Sequence, residues 1–435
     1  MIRRTACRWL AASFLAIALG ARTPAEPSFV AMPARPADAF VASMGVDVDL
    51  VRISATDRAR AGAAFAGLHV RHARIAVLER DPPYEASVRA FYAAAPGVTA
   101  DGLTNCAPPL GPYRTAAIGP GDVRDFIAAT GRRLDRIEAV NEPNNRGDAD
   151  WAAQTRDCVA NLAGATGIAG SAPLVAPALV THLGGADERA LGILSPGVAE
   201  ANSHRYFSGR DPDTPGWGAT DACGRYGALA WSLCWARAMA PDAPVDVTET
   251  GWNSEREVDE ATQAKYVERV FFVNAAAGVR ATSLYTLLSY DGGDGFGGDG
   301  LARTDFSPKP AYRAVARIAT LLADPGVPYA PKRLRLAIAP ATVSRGEGLR
   351  SLLLGKRDGS YDLALWQEVP SADPDRRGSD VAVEPIAVSV ASAVALRGVA
   401  YAWQDDGSAP ARALGRAARF TIPVTDRLTI LSLRR

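Results

Sequence analysis

Residues 245–287 read VDVTETGWNSEREVDEATQAKYVERVFFVNAAAGVRATSLYTL, and this stretch sets the architecture. It opens on a short apolar strand, Val245–Thr248. After a polar loop comes a helical pattern over Asp259–Ala277, with Ala264, Val267, Val270 and Phe271 on one face and Gly278 placed to end it. A second apolar strand, Ala281–Leu287, follows. Strand, helix, strand at this spacing is a βαβ unit, and such units build parallel sheets.

The same rhythm continues outward, from about Val46 to Ala323. Six further strands are expected at Val46–Leu50, His72–Leu78, Gly97–Leu103, Ile137–Val140, Leu174–Ala178 and Ala199–His204. Helical patterns follow each. Pro120–Arg133 has proline at its start and acidic residues in its first turn. Lys309–Ala323 stops before Asp324-Pro325-Gly326. Eight strands alternating with helices over about 250 residues predict a TIM (β/α)8 barrel. The rival, an open doubly wound sheet, would carry a glycine-rich phosphate loop after its first strand, and Val46–Leu50 is followed by none.

Beyond Pro325 the period changes. Arg350–Gly355 and Tyr361–Glu368 flank the turn-rich Lys356–Ser360, and Val381–Val390, Gly398–Gln404, Ala418–Val424 and Leu428–Leu433 continue the strand pattern. This predicts a C-terminal all-β sandwich. The expected organisation is a signal peptide over 1–25, a catalytic barrel over 40–325 and a β-sandwich over 326–435.

The signal is read from Arg3, Arg4 and Arg8, the apolar run Trp9–Gly20, and the small residues after it, with a cut after Gly20 or Ala25. The apolar run is shorter than the roughly 20 residues that span a bilayer, so no membrane span is expected once the signal is removed. A secreted or periplasmic location follows. Cys7 leaves with the signal, and Cys106, Cys158, Cys223 and Cys234 remain for an oxidising compartment. Four cysteines allow three connectivities. Cys106 follows the third strand and Cys158 lies in the helix after the fourth, which are barrel neighbours, so Cys106–Cys158 and Cys223–Cys234 are the expected pairs.

The 48 Lys and Arg balance 47 Asp and Glu, which argues against nucleic acid or an anionic surface as partner. An oligo- or polysaccharide is compatible with near-neutrality. No cysteine spacing resembles a zinc motif and the four histidines are scattered. No metal and no cofactor are expected.

Two acidic residues stand where barrel chemistry belongs, at C-terminal strand ends. Glu142 follows Ile137–Val140 in Asn141-Glu142-Pro143, and Glu249 follows Val245–Thr248 in Thr248-Glu249-Thr250-Gly251-Trp252. A pair of facing carboxyl groups is what glycosidic cleavage requires: one protonates the departing oxygen, the other attacks or activates water.

These motifs resemble the acid/base and nucleophile motifs of clan A glycoside hydrolases, which include the cellulase-like and xylosidase/iduronidase-like families. The resemblance implies a retaining TIM-barrel enzyme with Glu142 as acid/base, Glu249 as nucleophile and Asn141 on the sugar 2-hydroxyl. It places an arginine on strand two beside the nucleophile, with Arg74 the better register and Arg71 the second. His204-Arg205-Tyr206 is similar to the clan's His-Pro-Tyr, with Arg205 in place of proline; His204 would line the site and Tyr206 would hydrogen-bond the nucleophile. Where many members carry a tryptophan at the end of strand eight, this chain has Leu284-Tyr285-Thr286, so Tyr285 or Tyr290 would substitute. Trp252, together with Trp217 and Phe296, is a candidate for stacking on sugar rings or for ordinary packing. The Gly/Asp-rich 291–300 segment is read as a loop over the active-site face rather than a calcium site. The alternative function is a non-catalytic carbohydrate-binding or scaffold protein on the same barrel.

Overall fold

A computed structural model describes residues 28–106, 117–165, 172–290, 297–340, 348–373 and 378–435. The expected signal, Cys7, and residues 291–296 with Phe296 lie outside the described residues.

Eight parallel strands form the barrel: β1 (Met44–Asp47), β2 (His72–Ala76), β3 (Thr99–Leu103), β4 (Arg136–Glu138), β5 (Leu174–Val175), β6 (Ala201–Tyr206), β7 (Val245–Gly251) and β8 (Thr282–Leu284). Each pairs with the next, and β8 closes on β1 through Thr282 opposite Met44. The short β5 meets β6 through the Val175–Glu200 bridge. Each expected strand is present, most of them shorter than the apolar run that marks it.

One irregularity in the barrel bears on chemistry. Along β7 and β6, Val247 lies opposite Ser203, yet Glu249 lies opposite His204. The same extra residue appears against β8, where Val247 faces Thr282 and Thr250 faces Leu284. A bulge of this kind re-aims side chains. In a regular strand Thr248 and Glu249 would point to opposite faces. Here Thr248 reaches Asn202 inside the barrel, with Oγ1 and Oδ1 2.9 Å apart, and Glu249 also turns inward, onto Arg74.

The C-terminal domain comprises β9 (Leu334–Ala339), β10 (Leu349–Gly355), β11 (Tyr361–Gln367), β12 (Ile386–Ala402), β13 (Ala411–Val424) and β14 (Thr429–Arg434). β9, β12, β14, β11 and β10 are antiparallel neighbours in that order, and β13 pairs antiparallel with β12 off this path. They enclose their own apolar core, including Leu336, Leu363, Val388, Ile422 and Leu433. Two differences from the sequence reading stand out. The strands expected at Val381–Val390 and Gly398–Gln404 are one strand, β12, which changes partner from β9 to β14 along its length. The segment before the barrel also belongs to this sheet: Val30–Met32 pairs antiparallel with β9, and Arg35–Pro36 pairs parallel with β10.

The barrel and the β-domain are joined through the helix Glu260–Ala276. Phe272 packs on Trp366, with ring centroids 6.0 Å apart. Arg269, fully buried, donates to the carbonyls of Gln367 and Val369 and to Ser371 Oγ. Glu268 pairs with Arg427 at 3.3 Å and accepts from the Leu428 amide. Both expected disulfides are present, Cys106–Cys158 and Cys223–Cys234, with Cα separations of 5.4 and 5.6 Å. Among the described residues no helix is long and apolar enough to cross a membrane.

Candidate active site

The C-terminal ends of the barrel strands surround a cleft of about 380 Å³. Its floor is charged. Arg74, on β2, is buried and holds three carboxylates at once. Nε and Nη2 donate to Glu138 at 2.6 and 2.8 Å, and Nη1 donates to Asp47 at 3.0 Å and to Glu249 at 2.6 Å. Nη2 also donates to Asn141 Oδ1 at 2.9 Å. A planar guanidinium suits this fan of contacts, because its donors lie in a rigid fork. Arg71, the second register, sits elsewhere and pairs with Asp38.

Glu249 is held on both oxygens: Oε1 by Arg74, Oε2 by the Tyr206 hydroxyl at 3.0 Å. Glu142 stands across from it. The chain turns sharply after β4, Glu142 takes a left-handed φ of 44°, and the 3₁₀ turn Pro143–Arg146 follows. A residue before proline is pushed toward extended backbone, so this conformation stores strain of the kind that gathers at functional sites, about 1–3 kcal/mol. The Glu142 amide donates to the Ala178 carbonyl, and the Asn141 amide to Asn105 Oδ1, which anchors the turn.

His204 lies between the two carboxylates. Its Nδ1 is 2.9 Å from Glu142 Oε1 and 3.4 Å from Glu249 Oε2. One oxygen of Glu142, one of Glu249 and a His204 ring nitrogen lie within 4.8 Å of one another. Burial opposes the imidazolium, but Glu249 and Glu142 outweigh it and raise the His204 pKa. For Glu142, burial pushes upward, while the hydrogen bond and charge of His204, with Arg74, bring the carboxyl below its ordinary value. Across this contact each partner favours the charged form of the other. Asp47 is driven the other way: burial, reinforced by Glu249 and Glu138, overcomes Arg74 and raises its pKa strongly. Its Oδ1 is buried with no hydrogen-bond partner among the described residues.

Tyr206 opens into the cleft with 40% of its surface, while its hydroxyl lies deep on Glu249; that depth, then the charges of Glu249 and Asp47, pushes the phenol well up. Tyr285 lines the same cleft. Tyr290 is set behind it, its hydroxyl 3.4 Å from Thr286 Oγ1.

The structure thus brings together Arg74, Asn141, Glu142, His204, Tyr206, Glu249 and Tyr285. It does not bring Trp252. That side chain is 1% exposed, stacked on Phe207 at 4.3 Å, with Nε1 donating to the Arg210 carbonyl. Of the two readings given for Trp252, the structure favours ordinary packing, with Tyr266 also 5.1 Å from its ring.

Two acidic residues were missed by the sequence reading, Asp47 and Glu138. A signal for each existed. Glu138 interrupts the apolar strand Ile137–Val140, and Asp47 alternates with Val46 and Val48. Both phases point into the barrel, where Arg74, Asn202 and Thr248 gather beside them.

No protein-family model matches the sequence, and no curated protein matches it. Similarity appears among solved structures. A family 39 glycoside hydrolase from the gut symbiont Bacteroides cellulosilyticus WH2 superposes with a TM-score of 0.62 at 16% identity, over 92% of this chain and 81% of that one. A glucosidase from Croceicoccus marinus gives 0.55 at 12% identity, over 86% of this chain and 91% of that one. At these identities the likeness establishes the fold, a TIM barrel with an appended β-domain similar to that of clan A glycoside hydrolases.

Proposed function

We propose that this chain is a retaining glycoside hydrolase acting on an oligo- or polysaccharide, with Glu142 as acid/base and Glu249 as nucleophile. The observation that carries the reading is the approach of the two carboxylates across one cleft, with oxygens within 4.8 Å. Retaining enzymes hold their carboxyl groups roughly 5–5.5 Å apart, whereas inverting ones leave about 6.5–9.5 Å for a water molecule.

In the first step Glu249 attacks the anomeric carbon, the bond to the leaving oxygen breaks, and Glu142 delivers a proton to that oxygen. In the second step Glu142 takes a proton from water, which displaces Glu249. Arg74 and Tyr206 fix the plane of the Glu249 carboxylate by holding opposite oxygens. The proton needed by Glu142 arrives along its 2.9 Å contact with His204. Asn141 contacts the sugar 2-hydroxyl. The catalytic unit is the barrel, residues 40–325, followed by the β-domain over 326–435. Export is supported by the charged-then-apolar N-terminus and by the two disulfides.

The test is hydrolysis of a panel of nitrophenyl glucosides, xylosides, mannosides, galactosides and arabinofuranosides, with a polysaccharide digestion screen beside it. Activity on at least one substrate, abolished by Glu249→Ala, is the expected result. A full panel without turnover by the intact protein would overturn the proposal.

A further inference from the structure

Three arginines stand side by side on the β-domain. Arg397 on β12 lies directly opposite Arg434 on β14 and directly opposite Arg416 on β13. Neighbouring strands are about 4.7–4.9 Å apart, and residues directly opposite share a face of the sheet. That face is the outer one. Leu396, Ala417 and Leu433, each next in sequence to one of the arginines, pack on the apolar core of the domain. A Cβ at Gly398 would fall 2.7 Å from the buried Phe420 ring. Arg397, Arg416 and Arg434 are exposed.

Like charges placed directly opposite one another destabilise a sheet, and little relieves them here. Arg434 pairs with Asp358 at one end of the row. Among the described residues, Arg397 and Arg416 make no ion pair and no side-chain hydrogen bond. The next row on the same face is Ser432, Val399 and Ala413, small and uncharged. One row further stands Tyr401, about 13 Å from Arg397 along the strand. Arg317, from the helix Pro310–Leu322, lies over the Tyr401 ring at 5.4 Å and donates to the Ala409 carbonyl. Arg317 also walls an open cavity of about 490 Å³ between that helix and the turn Gly407–Pro410. Tyr312 and Arg313 line the same cavity, and Asp406 faces Arg313. A strip of outer surface thus runs from the cavity, past Tyr401, to two unpaired guanidinium groups. None of its residues lines the cleft that holds Glu142 and Glu249.

The strip fits one kind of polyanion better than the others. A single-stranded nucleic acid is held by bases stacked on successive aromatic rings, and Tyr401 is a single ring already covered by Arg317. Interfacial membrane binding sinks large apolar groups beside the cations, and only Ser432, Val399 and Ala413 stand between the arginines and Tyr401. Guanidinium forks match planar carboxylates. Carboxylates that recur along a sugar chain would meet cations that recur from strand to strand.

We infer that this strip of the β-domain binds an acidic polysaccharide, with Arg397 and Arg416 taking uronate carboxylates and the chain running toward the cavity at Arg317. The choice of a glycan rests on the proposed function, and the charge of that glycan rests on the strip. Binding there makes and breaks no bond. It holds the protein on its polymer.

The experiment is affinity electrophoresis of the full chain carrying Glu249→Ala, so that no polymer is cleaved, through gels containing polygalacturonate, alginate or neutral β-glucan. At least one acidic polymer should retard the protein, less so as salt is raised. In Arg397→Ala/Arg416→Ala the apparent Kd for that polymer should rise at least about tenfold. Arg237→Ala, which removes an exposed cation from the barrel, should leave it within about twofold, and retardation by β-glucan should be the same in every variant. No retardation by either acidic polymer, an unchanged Kd in the double variant, or an equal loss in Arg237→Ala overturns the inference. So does a double variant that loses binding to phosphatidylglycerol vesicles or to oligodeoxythymidylate while its Kd for the acidic glycans is unchanged, which would assign the strip to that other polyanion. None of these results bears on catalysis by Glu142 and Glu249, which the nitrophenyl panel decides separately.

Discussion

Arg74 and Glu138 form a two-point ion pair beneath the cleft, Nε to Oε2 at 2.6 Å and Nη2 to Oε1 at 2.8 Å, with both side chains buried. Glu138 is thereby spent on holding the guanidinium. Its role is to aim Nη1 at Glu249, so a fully buried acid positions the cation that positions the nucleophile.

Breaking this arrangement from the cation side has a calculable cost. Arg74→Met strands buried carboxylates without a counter-charge, a change worth about 3–5 kcal/mol. Urea unfolding should show a loss of that size, and hydrolysis should fall by at least about 100-fold. Arg74→Lys keeps the charge but cannot reproduce the fork. It should recover part of the stability and little of the activity. Near-normal rates in both variants would remove Arg74 from the mechanism.

The His204–Glu142 pair sets a pH dependence. The His204 pKa is raised above its ordinary 6.5 by the two carboxylates, so the proton store persists above that pH and empties as pH climbs through the raised value. The alkaline limb of kcat/KM should therefore lie above pH 6.5, and His204→Gln should displace it. The same raised pKa means the folded chain binds this proton more tightly than the unfolded one. The stability it brings is full below 6.5 and is lost as pH rises. A limb unchanged in His204→Gln would show that this proton plays no part.

At the junction between the barrel and the β-domain, burial raises Glu268 and Glu368 from 4.5 to about 7, against the pull of Arg427 and Arg269 respectively. The folded chain keeps these protons up to about pH 7, while the unfolded chain sheds them near 4.5. Stability should accordingly decline as pH rises across that interval. Glu268→Gln and Glu368→Gln should flatten the decline of Tm, measured by calorimetry. A Tm that rises steadily from pH 5 to pH 7, with the same slope in the variants, would contradict this.

Trp252→Ala separates packing from binding. Loss of a fully buried tryptophan stacked on Phe207 should cost about 3–5 kcal/mol and lower Tm by several degrees. Per folded molecule, KM for a nitrophenyl glycoside should shift far less than it does in Tyr285→Ala, whose ring faces the cleft. The opposite ordering would return Trp252 to the sugar site.

Much of this was legible in the chain because barrel strands alternate with helices at a spacing that few folds share, and because Glu142 and Glu249 directly follow apolar strands. The pairing of Cys106 with Cys158 followed from the same topology. What could not be read depends on side-chain direction. Trp252 is three residues past Glu249, but the bulge at Thr248 alters which way the strand end points, and no periodicity reports a bulge. The place of Val30–Met32 in the C-terminal sheet is a contact across some 300 residues, which neither composition nor pattern encodes. Glu138 looked like one polar residue in a strand, and only its partner on β2 shows what it does.

The assignment of roles to the two carboxylates is tested most directly by azide rescue. Glu142→Ala removes proton transfer, worth about 10²–10⁴-fold, and the loss should shrink for the glycosylation step of a dinitrophenyl glycoside, whose phenolate leaves without a proton. Added azide should then resolve the accumulated glycosyl-enzyme and give a glycosyl azide of retained configuration. With Glu249→Ala the azide enters from the vacated nucleophile side, and the product should be inverted. Proton NMR of the two glycosyl azides distinguishes the outcomes. Retention from Glu142→Ala together with inversion from Glu249→Ala is the result predicted here. The reverse pair would exchange the roles of the two residues, and near-normal unrescued rates in both variants would contradict the site altogether.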